Sequence, residues 1–256
     1  MRFVLIHGGF HGAWCWSRTI PELERLGHDA IAIDLPGQGA RRDERSTLGD
    51  RRDAIVAVLR SGDVLVGHSV GGYDITMAAD AAPDLVGHMV YLAAGLPLEG
   101  RTVLEATGGV PGEDGDGEVS ELMTDETGMS RFTRPNARGR MECTEFAPVR
   151  DFFYHDCDEA TARWAFDQLC PAPVEFLTEP VSLPRFWEAD LPRSFIRCEQ
   201  DRAVPPTMAA QVIERLGVEP LTIDSAHSPF LSRPRELAEL LVRATTTKPI
   251  RAIRAA

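Results

Sequence analysis

Apolar residues along this chain fall into short, nearly unbroken runs separated by stretches with helical spacing. The runs are Arg2 to Ile6, Ala30 to Ile33, Asp63 to Val66, Met89 to Leu92, Ser194 to Cys198 and Pro220 to Ile223. Between them, Trp14 to Leu26 places Trp16, Ile20, Leu23 and Leu26 on one helical face and stops at Gly27, while Leu48 to Leu59 turns Ile55, Val56 and Leu59 inward. Further helices are predicted over Tyr73 to Ala82, Pro206 to Leu216 and Pro234 to Ala244. A strand that is apolar without alternation must be covered on both faces, and helices interleaved with such strands provide that cover. The predicted fold is therefore α/β, a doubly wound, mostly parallel six-stranded sheet. Ligands of such sheets bind at the carboxyl ends of the strands, where His7, Asp34, Ser69 and Ala93 fall.

The alternation breaks down after Leu98 and resumes at Ser194. Residues 1–97 and 191–245 are expected to form the core, 98–190 an inserted, mainly helical cap over the strand ends, and 246–256 a tail. Within the insertion, Asp158 to Leu169 has helical spacing with Asp158 as its N-cap. Val110 to Gly128 carries seven acids and no base, a composition that predicts a mobile loop.

Charge sharpens this division. The chain holds 27 Lys and Arg against 39 Asp and Glu, a net charge of -12, and residues 98–190 alone hold 20 acids and 8 arginines. The whole acidic excess thus lies in the insertion, which also carries 10 of the 18 aromatic residues. An acidic chain of this kind is not expected to bind nucleic acid, which needs a basic face. With no apolar run of 18 residues and no leader-like start, it is expected to have no membrane partner and to reside in the cytoplasm. Five cysteines, an odd number with no C-x-x-C pair and no histidine at metal-ligand spacing, point to free thiols. No metal and no cofactor are expected.

The chemistry centres on Gly67-His68-Ser69-Val70-Gly71, which follows the third apolar run and precedes a helical stretch. A serine becomes an effective nucleophile only when a sharp turn exposes it beside a base and oxyanion donors. In G-x-S-x-G the residues two before and two after the serine crowd each other, so both must be glycine. Of the seven histidines, His227 is the predicted base, because Asp224 to Phe230 follows the last strand and can swing it over the central strand end. His68 adjoins Ser69 but the turn should point it away, His28 and His88 precede strands at the wrong end of the sheet, and His7 and His11 are expected to shape the glycine loop. Asp201, after the Ser194 to Cys198 strand, is the predicted partner of His227, with Glu199 and Asp224 as rivals. The order Ser69, Asp201, His227 suits this architecture, and the backbone N–H groups of Gly9 and Val70 are the expected oxyanion donors.

These residues carry a family resemblance. The chain resembles an α/β-hydrolase, and within that superfamily the plant methylesterase and hydroxynitrile lyase group with its bacterial esterase relatives. The likeness rests on Phe3-Val4-Leu5-Ile6-His7-Gly8-Gly9-Phe10-His11-Gly12-Ala13-Trp14-Cys15-Trp16, on Gly27-His28, on Asp34-Leu35-Pro36-Gly37 and on Gly67 to Gly72. Lyases of that group place threonine after the first histidine and lysine after the catalytic one. Here those positions are Gly8 and Ser228, so the resemblance implies ester hydrolysis. The epoxide and halide hydrolases use aspartate where this chain has Ser69. The expected function is a serine hydrolase that cleaves a carboxylic ester of a small, largely apolar substrate through an acyl-enzyme. The alternatives are a C–C lyase or tailoring enzyme on a polyketide-like or other small molecule, and a binding protein with a vestigial triad. The oligomeric state stays open, a homodimer being one option.

Overall fold

The six apolar runs become one parallel sheet in a computed structural model that describes residues 1–106 and 128–246. Among the described residues the strands are β1 (Arg2–Ile6), β2 (Asp29–Ile33), β3 (Asp63–His68), β4 (Val86–Leu92), β5 (Thr133–Pro135), β6 (Met141–Cys143), β7 (Arg193–Cys198) and β8 (Leu221–Ile223). The large sheet has the order β2-β1-β3-β4-β7-β8, with Val4 in register with both Ile31 and Leu65, and Leu65 with Met89. From β1 the chain moves outward to β2 and then returns to β3 on the other side. That reversal opens a crevice between the ends of β1 and β3, where ligands of open α/β sheets bind.

The helices are α1 (Thr19–Arg25), α2 (Leu48–Val56), α3 (Gly71–Ala81), α4 (Val103–Ala106), α5 (Phe146–Phe153), α6 (Glu159–Gln168), α7 (Pro206–Leu216), α8 (Pro229–Ser232) and α9 (Pro234–Thr246). Strand side chains alternate between the two faces of a sheet, and the core divides accordingly. Phe3, Leu5, Val64 and Val66 join the cluster that holds Leu23 of α1 and Leu237 of α9, whereas Val4, Ile6 and Leu65 join Ile55 of α2, Ile75 of α3 and Val212 of α7. Capping follows local chemistry: Thr47 and Asp50 bond each other's backbone N–H groups at the start of α2, and the Asp158 carboxylate accepts the Thr161 N–H at 2.7 Å.

Three details differ from the pattern read along the chain. Trp14 to Leu26 splits into a 3-10 turn at Ala13–Trp16 and α1, which seats Trp16 and Cys15 fully inside. Residues 98–190 contain helices, as expected, and also the antiparallel pair β5 and β6, whose strands of three residues are too short to show a period. The last helix runs to Thr246. The mobile loop expected over Val110 to Gly128 lies, apart from Gly128, outside the described residues, as does the tail beyond Thr246. Residues 98–190 share the buried cluster of Phe10, Cys15 and Trp16 through Phe132, Val149, Phe152, Tyr154 and Ala165.

Candidate active site

Strand β3 delivers Ser69 at its carboxyl end and α3 begins two residues later. Ser69 has φ 55°, a left-handed conformation that costs a non-glycine residue about 1–3 kcal/mol and turns the side chain out of the sheet. The flanking glycines make the turn possible. A Cβ on Gly67 would lie 2.6 Å from the Gly71 carbonyl oxygen, and one on Gly71 would lie 2.7 Å from that of His7.

His227 and Asp201 come together behind this turn from the loops after β8 and β7. The His227 Nδ1–H donates to Asp201 Oδ2 at 2.8 Å, which leaves Nε2 with its lone pair. Asp201 Oδ1 accepts the backbone N–H groups of Ala203 and Val204 at 2.7 and 3.0 Å, so both carboxylate oxygens are held. The side chains of His227 and Asp201 are 1% and 7% exposed. The rivals face elsewhere: Glu199 is exposed, and Asp224 binds Gln200 at the surface. Ser69, His227, Gly9 and Val70 all line one cavity, and among the described residues no hydrogen bond yet joins the Ser69 hydroxyl to His227. Such pairs commonly tighten only when substrate enters.

Gly9 lies across the crevice in the loop after β1. Among the described residues, no protein oxygen accepts the N–H of Gly9 or of Val70, so both donors are available to a ligand. The neighbouring histidines shape this loop. His7 Nδ1–H donates to the Gly8 carbonyl at 2.8 Å while its Nε2 accepts the Leu35 N–H at 3.1 Å. His11 Nδ1–H donates to the Gly9 carbonyl at 2.7 Å, and the Tyr154 hydroxyl donates to His11 Nε2 at 2.7 Å. Burial lowers the pKa of His7 to about 4 and that of His11 to about 3, so both are neutral. Gly8 leaves no room for a side chain, since a Cβ there would meet the Ser69 Cβ and His68 Nδ1, each at 2.9 Å.

His68 departs from the sequence reading. The turn does not carry it away from the site: its ring lies 4.4 Å from that of His227, centroid to centroid, and its Nε2–H donates to the His227 carbonyl at 2.9 Å. Burial holds His68 well below the ordinary histidine range, so it acts as a neutral prop for the His227 backbone. His88 bonds Ser194 within the sheet, and His28 and His155 lie elsewhere, near the amino terminus and against the Asp151 carbonyl.

The cavity has a volume of about 310 Å³. Phe152, Phe153, Phe176, Met129 and Met141 from residues 98–190 form much of its wall, and Met208 and Val204 come from the core. No Asp, Glu, Arg or Lys is among its described lining residues. The described carboxylates of residues 98–190 therefore lie off the wall that Ser69 and His227 share.

Several residues around the site escape a reading of the chain. Asp156 accepts the Ala226 N–H at 3.0 Å, next to His227, and Tyr154 reaches His11; both lie between α5 and α6, far from their partners in sequence. Arg51 had a local signal. It lies one helical turn before the buried Ile55, on the same inward face of α2.

Comparison with known proteins bears on the family and the fold. The profile of the alpha/beta hydrolase family matches residues 3–240. The chain is 32% identical to norfluorocurarine synthase 2 of Strychnos sp. over 258 residues, covering 95% of this chain and 94% of that protein. It is 30% identical to methylesterase 18 of Arabidopsis thaliana over 261 residues, covering 96% and 97%. Among solved structures, an extracellular alpha/beta-hydrolase from a Paenibacillus species, described as sharing structural and functional homology with tobacco salicylic acid binding protein 2, superposes with TM-score 0.75 at 26% identity. That match covers 95% of this chain and 98% of the other.

Proposed function

We propose that this chain, which belongs to the alpha/beta hydrolase family, is a carboxylic-ester hydrolase acting through an acyl-enzyme on Ser69. The observation that carries this reading is that the strained Ser69 turn and His227, paired with Asp201, meet on one cavity with no charged side chain among its described lining residues. Ser69 Oγ attacks the ester carbon as His227 Nε2 takes its proton, and Asp201 stabilises the imidazolium through Nδ1–H. The carbonyl oxygen, now negative, takes hydrogen bonds from the N–H groups of Gly9 and Val70. Collapse expels the alcohol, which receives the proton from His227. Water then attacks the acyl-serine by the same route, with His227 as base, and releases the acid.

The wall of the cavity supports a small, largely apolar and neutral substrate, because a carboxylate buried there would find no cation among the described lining residues. On this reading residues 98–190 act as the specificity cap, supplying Phe152, Phe153 and Phe176 to that wall. The similarity to methylesterase 18 supports ester hydrolysis, and Gly8 and Ser228 in place of threonine and lysine weigh against cyanide chemistry. The five unbridged cysteines fit a reducing compartment such as the cytoplasm, and among the described residues no helix is long and apolar enough to cross a membrane. A second reading, non-hydrolytic tailoring of a small molecule, is favoured by the similarity to norfluorocurarine synthase 2.

The test is a panel of short aryl and methyl esters, each paired with a carboxylate-bearing analogue, at low and high salt, with Ser69→Ala as the blank. Release of alcohol and acid in equal amounts, with higher kcat/KM for the neutral member, is expected. A preference for the anion at both salts would refute the neutral-substrate reading. Conversion without release of acid would favour tailoring.

A further inference from the structure

A chain of fully buried polar side chains runs behind the Ser69 turn. Asp74, in the first turn of α3, accepts Arg51 Nε–H and Nη2–H in a two-pronged pair, each bond 2.7 Å. Arg51 Nη1–H donates to Gln38 Oε1 at 3.0 Å, and Gln38 Nε2–H reaches the carbonyls of Gly8 and His11, each at 3.3 Å. Gln38 and Arg51 are completely buried, and Asp74 is 1% exposed. The polarity of this chain is fixed by chemistry. Guanidinium only donates and carbonyls only accept, so the Gln38 amide has a single orientation that satisfies both ends.

We propose that Gln38, anchored by the Arg51 and Asp74 pair, is a positioning residue that aims the Gly9 N–H at the oxyanion. This rests on the ester-hydrolase reading and deepens it. The Gly9 N–H belongs to the Gly8–Gly9 peptide, which is planar, so whatever holds the Gly8 oxygen also sets the direction of that N–H. Two donors hold it, His7 from one side and Gln38 from the other. Donation to a carbonyl also polarises its amide and strengthens the N–H as a donor. The far end of the chain has a matching consequence: Asp74 sits on the helix whose amino end presents the Val70 N–H. The two oxyanion donors, 61 residues apart in sequence, are thereby joined through one set of hydrogen bonds.

The cost of burying the pair argues for such a role. A buried ion pair is often no more stabilising than apolar side chains of similar size, because desolvation offsets the attraction. Retaining Arg51 and Asp74 in this place is accounted for by the orientation they impose on Gln38.

The experiment uses Gln38→Leu in the full chain, with Gln38→Met and the double change Arg51→Met with Asp74→Leu as companions that limit buried unpaired groups. Each is assayed on a neutral aryl ester for kcat and KM. Each is also titrated with an aryl trifluoromethyl ketone, which adds to Ser69 and places an oxyanion in the site, and with the matching methyl ketone, which does not. Gln38→Leu is expected to lower kcat by about tenfold to a hundredfold, less than outright loss of an oxyanion donor, with KM nearly unchanged. Affinity for the trifluoromethyl ketone should fall by the same factor while methyl ketone binding holds, and the companions should follow the same line. Wild-type kcat in any folded member that removes the Gln38 donor would overturn the proposal. So would equal weakening of both ketones, the mark of a role that is structural only. Ser69→Ala separates the two levels: if it abolishes hydrolysis while the Gln38 variants behave as wild type, only this inference fails, and if it retains hydrolysis, the underlying reading fails.

Discussion

Asp201 holds His227 from one oxygen, with Oδ2 2.8 Å from Nδ1, while its other oxygen is held by the N–H groups of Ala203 and Val204. A carboxylate gripped at both oxygens cannot rotate away, so it selects the histidine tautomer that leaves Nε2 free. Asp201→Asn is predicted to reverse that selection and lower kcat by about four decades. Glu199→Gln, at an exposed position, should leave turnover near wild type. Parallel kcat measurements on one neutral ester decide the matter, and the reverse ranking would move the acid to Glu199.

Tyr154 is the reach of residues 98–190 into the glycine loop. Its hydroxyl is the partner of His11 Nε2, and His11 in turn holds the Gly9 carbonyl. Tyr154→Phe keeps the ring but leaves a buried nitrogen unpaired, at a cost of about 1–3 kcal/mol. A lower Tm by calorimetry is predicted, together with a lower kcat. An unchanged Tm would show that the hydroxyl contributes nothing to the loop.

Acid should destabilise the fold through its buried histidines. Burial holds His7 near 4, His11 near 3 and His88 near 4, all below the ordinary value of 6.5. Between these values and 6.5 the unfolded chain binds more protons than the folded one, so stability is full above about pH 6.5 and is lost as pH falls through the folded values. Among the described residues His88 bonds only Ser194, away from Ser69, and so isolates the effect. Thermal unfolding from pH 7.5 to 4 should show a shallower fall for His88→Asn than for wild type. Identical slopes would contradict the assignment.

What could be read along the chain was local or periodic. The six strands were legible because parallel, doubly covered strands are unbroken apolar runs, and Ser69 because the turn around it demands glycines at 67 and 71. The pairing of His227 with Asp201 was legible from their places after strands. Gln38 and Tyr154 were not, and of Arg51 only its inward place on α2 was, since their roles depend on partners 13 to 143 residues away. His68 was misread because the turn was expected to separate it from the site, yet its ring packs beneath His227. In residues 98–190 the short strands β5 and β6 gave no period, and the acidic composition said nothing of which aromatic side chains turn inward.

The most direct measurement is the mass of the enzyme quenched in acid milliseconds after mixing with an excess of a neutral aryl ester. Acyl transfer through Ser69 predicts an adduct equal to the acyl group, mapped by peptide digestion to the segment that contains Ser69, formed with a burst of alcohol and absent from Ser69→Ala. Ester cleavage at wild-type rate by Ser69→Ala, or an acyl group carried on another residue, would contradict it.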